Sequence, residues 1–171
     1  MTGYNDGMDI RTLADEDLPA AQALWSRTDH LGPVPDAEVA QLRTFEPDLV
    51  LAAHDADGLV GVALGSFDGR RGWINRLAVD DRARRRGVAR ALAAELERRL
   101  EARGCVQVNL LVLEDNRPGQ AFWTAAGYGA GWPLLLHHKR LDGPTSDGPA
   151  WTSAAMSPPR DPAPDDPVPP C

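Results

Sequence analysis

Apolar positions along the chain follow two rhythms, one of two residues and one close to four, and the two alternate. MDIRTL (8–13) has the short rhythm of a strand, and Asp15 opens a helix that runs through AAQALW to about Arg27. Pro19 falls in that helix's first turn, where proline is tolerated. SRTDHLGPVPD reads as a loop, and Pro35 or Asp36 opens a second, shorter helix through VAQLRTF. LVLAAH (49–54), a DADG turn and LVGVALGSF (59–67) predict a hairpin, and a DGRRG turn begun by Asp68 leads into a further strand, WINRLAV (73–79). Val88, Leu92, Leu96 and Leu100 recur every four residues, which predicts a helix over 88–103 closed by Gly104 in the C′ position. VQVNLLVL (106–113) reads as a buried strand, residues 116–126 as a short helix and PLLLHHKRL (133–141) as the last strand. This order predicts an α/β fold: a mixed sheet with antiparallel strands around one βαβ crossover.

The rhythm stops after Leu141. Residues 142–171 hold nine prolines and five acids against one arginine, a composition that cannot offset its own ordering entropy. The organisation expected is a flexible start over 1–6, one folded domain over 7–141 and a Pro-rich disordered tail over 142–171. At a net charge of -7 the chain has no general attraction to nucleic acid or to an anionic membrane, so any anion site must be local. Two cysteines, Cys105 and Cys171, make neither a disulfide framework nor a metal-ligand set. The N-terminus shows no signal-peptide pattern and no stretch is apolar enough to span a membrane, so a cytoplasmic protein is expected.

The local exception to the acidic balance is RARRRGVARAL (82–92). A charge run is by default a solvated face, and a glycine beside a helix start is often only a turn residue. Its neighbours give this run another meaning. A strand ends at Val79, a turn follows and feeds amides into a helix N-terminus, and arginines 84 to 86 add charge beside it. Free N–H groups there, together with the positive end of the helix dipole, favour an anion. Gly87 and the small Ala89 let a ligand approach the backbone. The arrangement suits a pyrophosphate.

These residues resemble the acyl-CoA-binding motif of the GNAT (GCN5-related) N-acetyltransferase family, Arg/Gln-x-x-Gly-x-Gly/Ala after a strand ending apolar-x-Val. LAV (77–79) and RRRGVA (84–89) meet that pattern, and Asn116, Phe122-Trp123 and Gly127-Tyr128 meet its downstream part. The resemblance covers about 7–141 and implies the GNAT fold, with helices on both faces of the sheet. More narrowly, the chain is similar to bacterial YpeA-type acetyltransferases. The resemblance implies an acetyl-CoA-dependent N-acetyltransferase acting on a primary amine of a small molecule, peptide or protein, without a metal, and it is compatible with a homodimer. Backbone groups of Leu77, Ala78 and Val79 would pair with the pantetheine arm, between strands 73–79 and 106–113 splayed to admit it. Amides of Arg85, Arg86, Gly87, Val88 and Ala89 would hold the pyrophosphate. Arg84 would stabilise the loop or contact phosphate, and Asn116 would bond near the thioester.

The general base and acid depart from the family pattern. Relatives that act on ribosomal protein N-termini use a strand glutamate and a helix tyrosine, where this chain has Leu111 and Trp123. Neither can replace them, because leucine takes no proton and an indole N–H is no acid near neutral pH. Substitute bases are Glu114 and Asp115 at the end of strand 106–113, or Asp29 and His30 in the loop over the acceptor side. The loss of both usual groups also allows a non-catalytic acyl-CoA-binding module. A nucleic-acid-binding reading of the arginines conflicts with the acidic balance.

Overall fold

The computed structural model describes residues 7–31 and 34–129. The expected last strand (133–141), the tail and the first six residues lie outside that range. Among the described residues the elements are β1 (Asp9–Thr12), α1 (Leu18–Arg27), α2 (Asp36–Phe45), β2 (Val50–Asp55), β3 (Gly58–Phe67), β4 (Gly72–Val79), α3 (Val88–Ala102), β5 (Val108–Asn109) and α4 (Arg117–Ala125). The strands lie in chain order, β1-β2-β3-β4-β5. The first three pairings are antiparallel, and β4 runs parallel to β5 across the α3 crossover. This is the mixed α/β sheet that the apolar rhythm predicts.

Each face of the sheet has its own apolar layer. Trp25, Leu24 and Val39 from α1 and α2 cover Val50, Ala52, Val62 and Ala78, while α3 covers Leu51, Ala53, Ala63 and Ile74 on the opposite face. The four-residue column of α3 rests on strand glycines. A Cβ at Gly61 would lie 2.7 Å from Val88, one at Gly65 2.8 Å from Leu96, and one at Gly72 2.8 Å from Leu100. Absence of a side chain in those strands sets how closely the helix approaches. At the other end of α3, Gly104 (φ 82) ends the helix as expected, with its N–H bonded to Glu101 and that of Cys105 to Leu100.

Two β-bulges change the alternation. Between β2 and β3 the register shifts at Ala53/His54, and Val60 and Gly61 turn to the same side of the sheet. In β4 the three steps from Asn75 to Ala78 face only two from Leu64 to Val62, with Arg76 in the left-handed region at φ 47.

One expected element is cut short. Residues 106–113 do not form a buried strand: only Val108 and Asn109 pair, with Gly72 and Trp73, and Val106 and Leu111 are exposed. The cause is divergence, since β4 and β5 meet only at the start of β4 and then separate.

Candidate active site

The separation of β4 from β5 opens a cleft of about 820 Å³. Its floor is the far half of β4, one end is the head of α3, and the opposite walls are α4 and the loop after α1. The Asp80 N–H donates to the Val60 carbonyl (2.9 Å), and Ala78 lies opposite Val62. Hydrogen-bonding direction alternates along a strand, so Ala78 also spends its backbone groups on β3. Those of Leu77 and Val79 point the other way, into the gap. Of the three backbones expected to meet a ligand, Leu77 and Val79 line the cleft and Ala78 does not.

The turn after β4 is built by its carboxylates. Asp80 accepts the Arg82 N–H (3.0 Å) and pairs with Arg27 (2.6 Å). That amide bond, with Arg27 and Arg82 nearby and against some burial, holds the Asp80 carboxyl below its ordinary range. The chain then turns through Arg85 (φ 64) and Gly87 (φ 84) into α3. Among the described residues, the amides of Arg85, Gly87, Val88 and Ala89 have no hydrogen-bond acceptor within the protein, and all four residues line the cleft. They are unspent donors at a helix N-terminus, where the macrodipole favours negative charge.

The three consecutive arginines go three ways. Arg84 pairs with Asp81 (2.8 Å) at the edge of the cleft. Arg86 turns away: its amide donates to Ala83 and its guanidinium pairs with Asp55 (3.0 Å), so it is not among the cleft residues. Burial opposes ionisation of Asp55, yet bonds from the Asp57 amide, Arg86 and Arg82 keep its carboxyl below the usual range. Arg85 forms no ion pair among the described residues and faces the cleft.

Asn116 caps α4, its Oδ1 accepting the Gly119 N–H (2.9 Å), and it borders the cleft. Asp29 and His30 line the wall opposite. His30 adopts φ 66, and its Nδ1 lies 3.8 Å from Asp115 Oδ1, beyond hydrogen-bond length but within ion-pair range. Two sequence-expected bases thus approach each other, His30 on the cleft wall and Asp115 exposed outside the cleft lining. Glu114 is exposed and does not line the cleft. Leu111 is also exposed. Trp123 packs edge-to-face between Phe122 (4.8 Å) and Tyr128 (5.0 Å), the work of a packing aromatic. Tyr128 offers no replacement acid. Burial first, and then its 2.6 Å bond to Glu97, push the phenol above its ordinary value.

Arg90 was not foreseen from the sequence. It lines the cleft and donates to the Ala125 carbonyl (3.0 Å), tying the head of α3 to the end of α4. Its position in the turn after RRRG was the only available signal.

Comparison with known proteins places this geometry among its relatives. A family profile described as "Acetyltransferase (GNAT) family" matches residues 13–128. An acetyltransferase of Sodalis glossinidius is 37% identical over 136 residues, covering 78% of this chain and 96% of that protein. The ribosomal-protein-S18-alanine N-acetyltransferase from Escherichia coli superposes with a TM-score of 0.62 at 26% identity, over 83% of this chain and 87% of that one. AAC(6')-Iy, solved with a bisubstrate analogue of CoA and acetylneamine, shares the fold with a TM-score of 0.66 at 22% identity, over 79% and 99% of the two chains.

Proposed function

The chain belongs to the GNAT family of acetyltransferases, and from that premise we propose that it transfers an acetyl group from acetyl-CoA to a primary amine. One observation carries the reading: four amides without acceptors, Arg85, Gly87, Val88 and Ala89, stand beside the free backbone edge of Leu77 and Val79. The amides suit a pyrophosphate and the edge suits the amide-bearing pantetheine arm, so the cleft offers donors where that cosubstrate has charge and strand-like pairing where it has peptide bonds. Arg85 adds a charge at the phosphate end, and Arg84 steadies the turn through Asp81. Asn116 borders the place where the thioester would lie.

The thioester supplies an acyl carbon that exchanges its C–S bond for a C–N bond, with an alkyl thiol leaving group comparable to a free cysteine, whose pKa is about 8.5. Orientation of the two reactants is the larger part of what the protein contributes, since effective molarities can exceed the roughly 10²–10⁴-fold typical of acid–base assistance. His30, facing Asp115, is the group we assign to take the proton lost by the amine. The descriptions of both proteins named above carry amine acceptors, an alanine of ribosomal protein S18 and, in a second structure of AAC(6')-Iy, an aminoglycoside. An amine is therefore the class proposed here, in a cytoplasmic protein with its folded domain over 7–141. Isotope-labelled acetyl-CoA offered with a panel of amines and peptides tests the reading by mass spectrometry. Labelled amide and free CoA should form together. Tight CoA binding with no transfer to any amine would overturn it.

A further inference from the structure

The bulge in β4 decides which residues face the cleft. A one-residue slip reverses the direction of every backbone group beyond it. Without the extra residue at Arg76, Leu77 and Val79 would turn their N–H and C=O groups to β3, and only Ala78 would face the gap. Nothing in β4's own sequence favours the conformation, because arginine adopts φ 47 only under constraint. Two bonds supply that constraint. Trp25, fully buried in α1, donates its indole Nε1–H to the Arg76 carbonyl at 2.9 Å. Arg76 Nη1 in turn donates to the Leu31 carbonyl at 2.7 Å, and its Nε lies 4.0 Å from Glu38 Oε1. Leu31 belongs to the cleft wall that also carries His30.

We infer that Trp25 and Arg76 are positioning residues, a two-bond latch that keeps the β4 bulge formed so that Leu77 and Val79 present their backbone to the pantetheine arm. The inference rests on the coenzyme reading above. Neither residue lines the cleft; Trp25 acts through a carbonyl, and Arg76 through its own backbone and the Leu31 loop.

Two probes separate this from a general loosening of the core. Coenzyme A has the pantetheine arm, and 3′-phosphoadenosine 5′-diphosphate has the same nucleotide and pyrophosphate without it. Calorimetric titration is run on the wild-type chain, on Trp25→Phe, which keeps a ring but loses the N–H, and on Arg76→Met, which leaves the apolar core intact. Val39→Ala, a truncation in the same core layer with no hydrogen bond to the bulge, is the stability control. Loss of either latch bond should weaken CoA by about tenfold and leave the nucleotide within about twofold, while the control binds both like wild type. If Trp25→Phe does not fold, Arg76→Met carries the same comparison. Equal losses for the two probes, or unchanged CoA affinity, would overturn the latch. A wild-type chain that binds neither probe would overturn the coenzyme reading itself, and the latch with it.

Discussion

Gly87 is the residue on which the proposed pyrophosphate site turns. It lines the cleft at φ 84, in the turn that leads into α3 and its acceptor-free amides. Gly87→Glu adds bulk and a negative charge at that point. It should weaken acetyl-CoA binding by at least about a hundredfold, or roughly 2.7 kcal/mol, measured by calorimetric titration. The left-handed backbone adds a stability cost of about 1–2 kcal/mol for any L side chain, so the variant's melting curve belongs beside the titration. Affinity equal to wild type would mean that the amides hold no phosphate. The sequence foretold this glycine because the motif is local, running directly into the helix. It did not foretell that Arg86 leaves the cleft for Asp55 while Arg85 stays, since the partner lies 31 residues away at the end of β2. Trp25 was equally illegible. An indole in an amphipathic helix reads as core, and only the fold places a carbonyl within reach of its N–H.

Among the elements, α3 carries both a face of the core and an ion-pair line to the rest of the sheet. Glu95 accepts from Arg98 and Arg99, and Arg99 goes on to the Asp48 carbonyl and Thr12. The Arg98 hydrogen bond, followed by that from Arg99 and against some burial, lowers the Glu95 carboxyl from 4.5 to about 2. A carboxyl depressed by folding stabilises fully above its unfolded pKa and loses that effect as pH falls through the folded value. Glu95→Gln should therefore cost about 1–2 kcal/mol at neutral pH, allowing for solvent screening, and no more than about 0.4 kcal/mol near pH 2, where the folded carboxyl is half protonated. Denaturant melts at the two pH values check this, and a cost that persists undiminished at the acid end would refute the ion-pair account. The helix itself was legible as a four-residue column, and the hairpin as a turn between two strands. The bulges were not, because register belongs to a pair of strands and neither sequence states it alone. Residues 106–113 misled for a related reason: an apolar run signals β propensity but not where its neighbour diverges.

At the scale of the whole molecule, the expected boundary at Leu141 rests on composition alone. A chain ending there should melt within about 2 °C of the full-length protein, equivalent to roughly 0.5 kcal/mol, and bind CoA equally well. A larger fall in either quantity would show that 142–171 packs on the domain. The described part of the sheet is continuous from β1 to β4, but β5 holds to it by two residue pairs before the strands part. Beyond those pairs, backbone groups that a neighbouring strand would satisfy are left to whatever enters the gap. A molecule that enters only when the gap exists shifts the folding equilibrium by mass action, by about 2.7 kcal/mol at a hundred times its dissociation constant. If the proposed cosubstrate occupies that opening, its abundance adds to the chain's stability, so depletion of the cosubstrate should raise the chain's susceptibility to proteolysis.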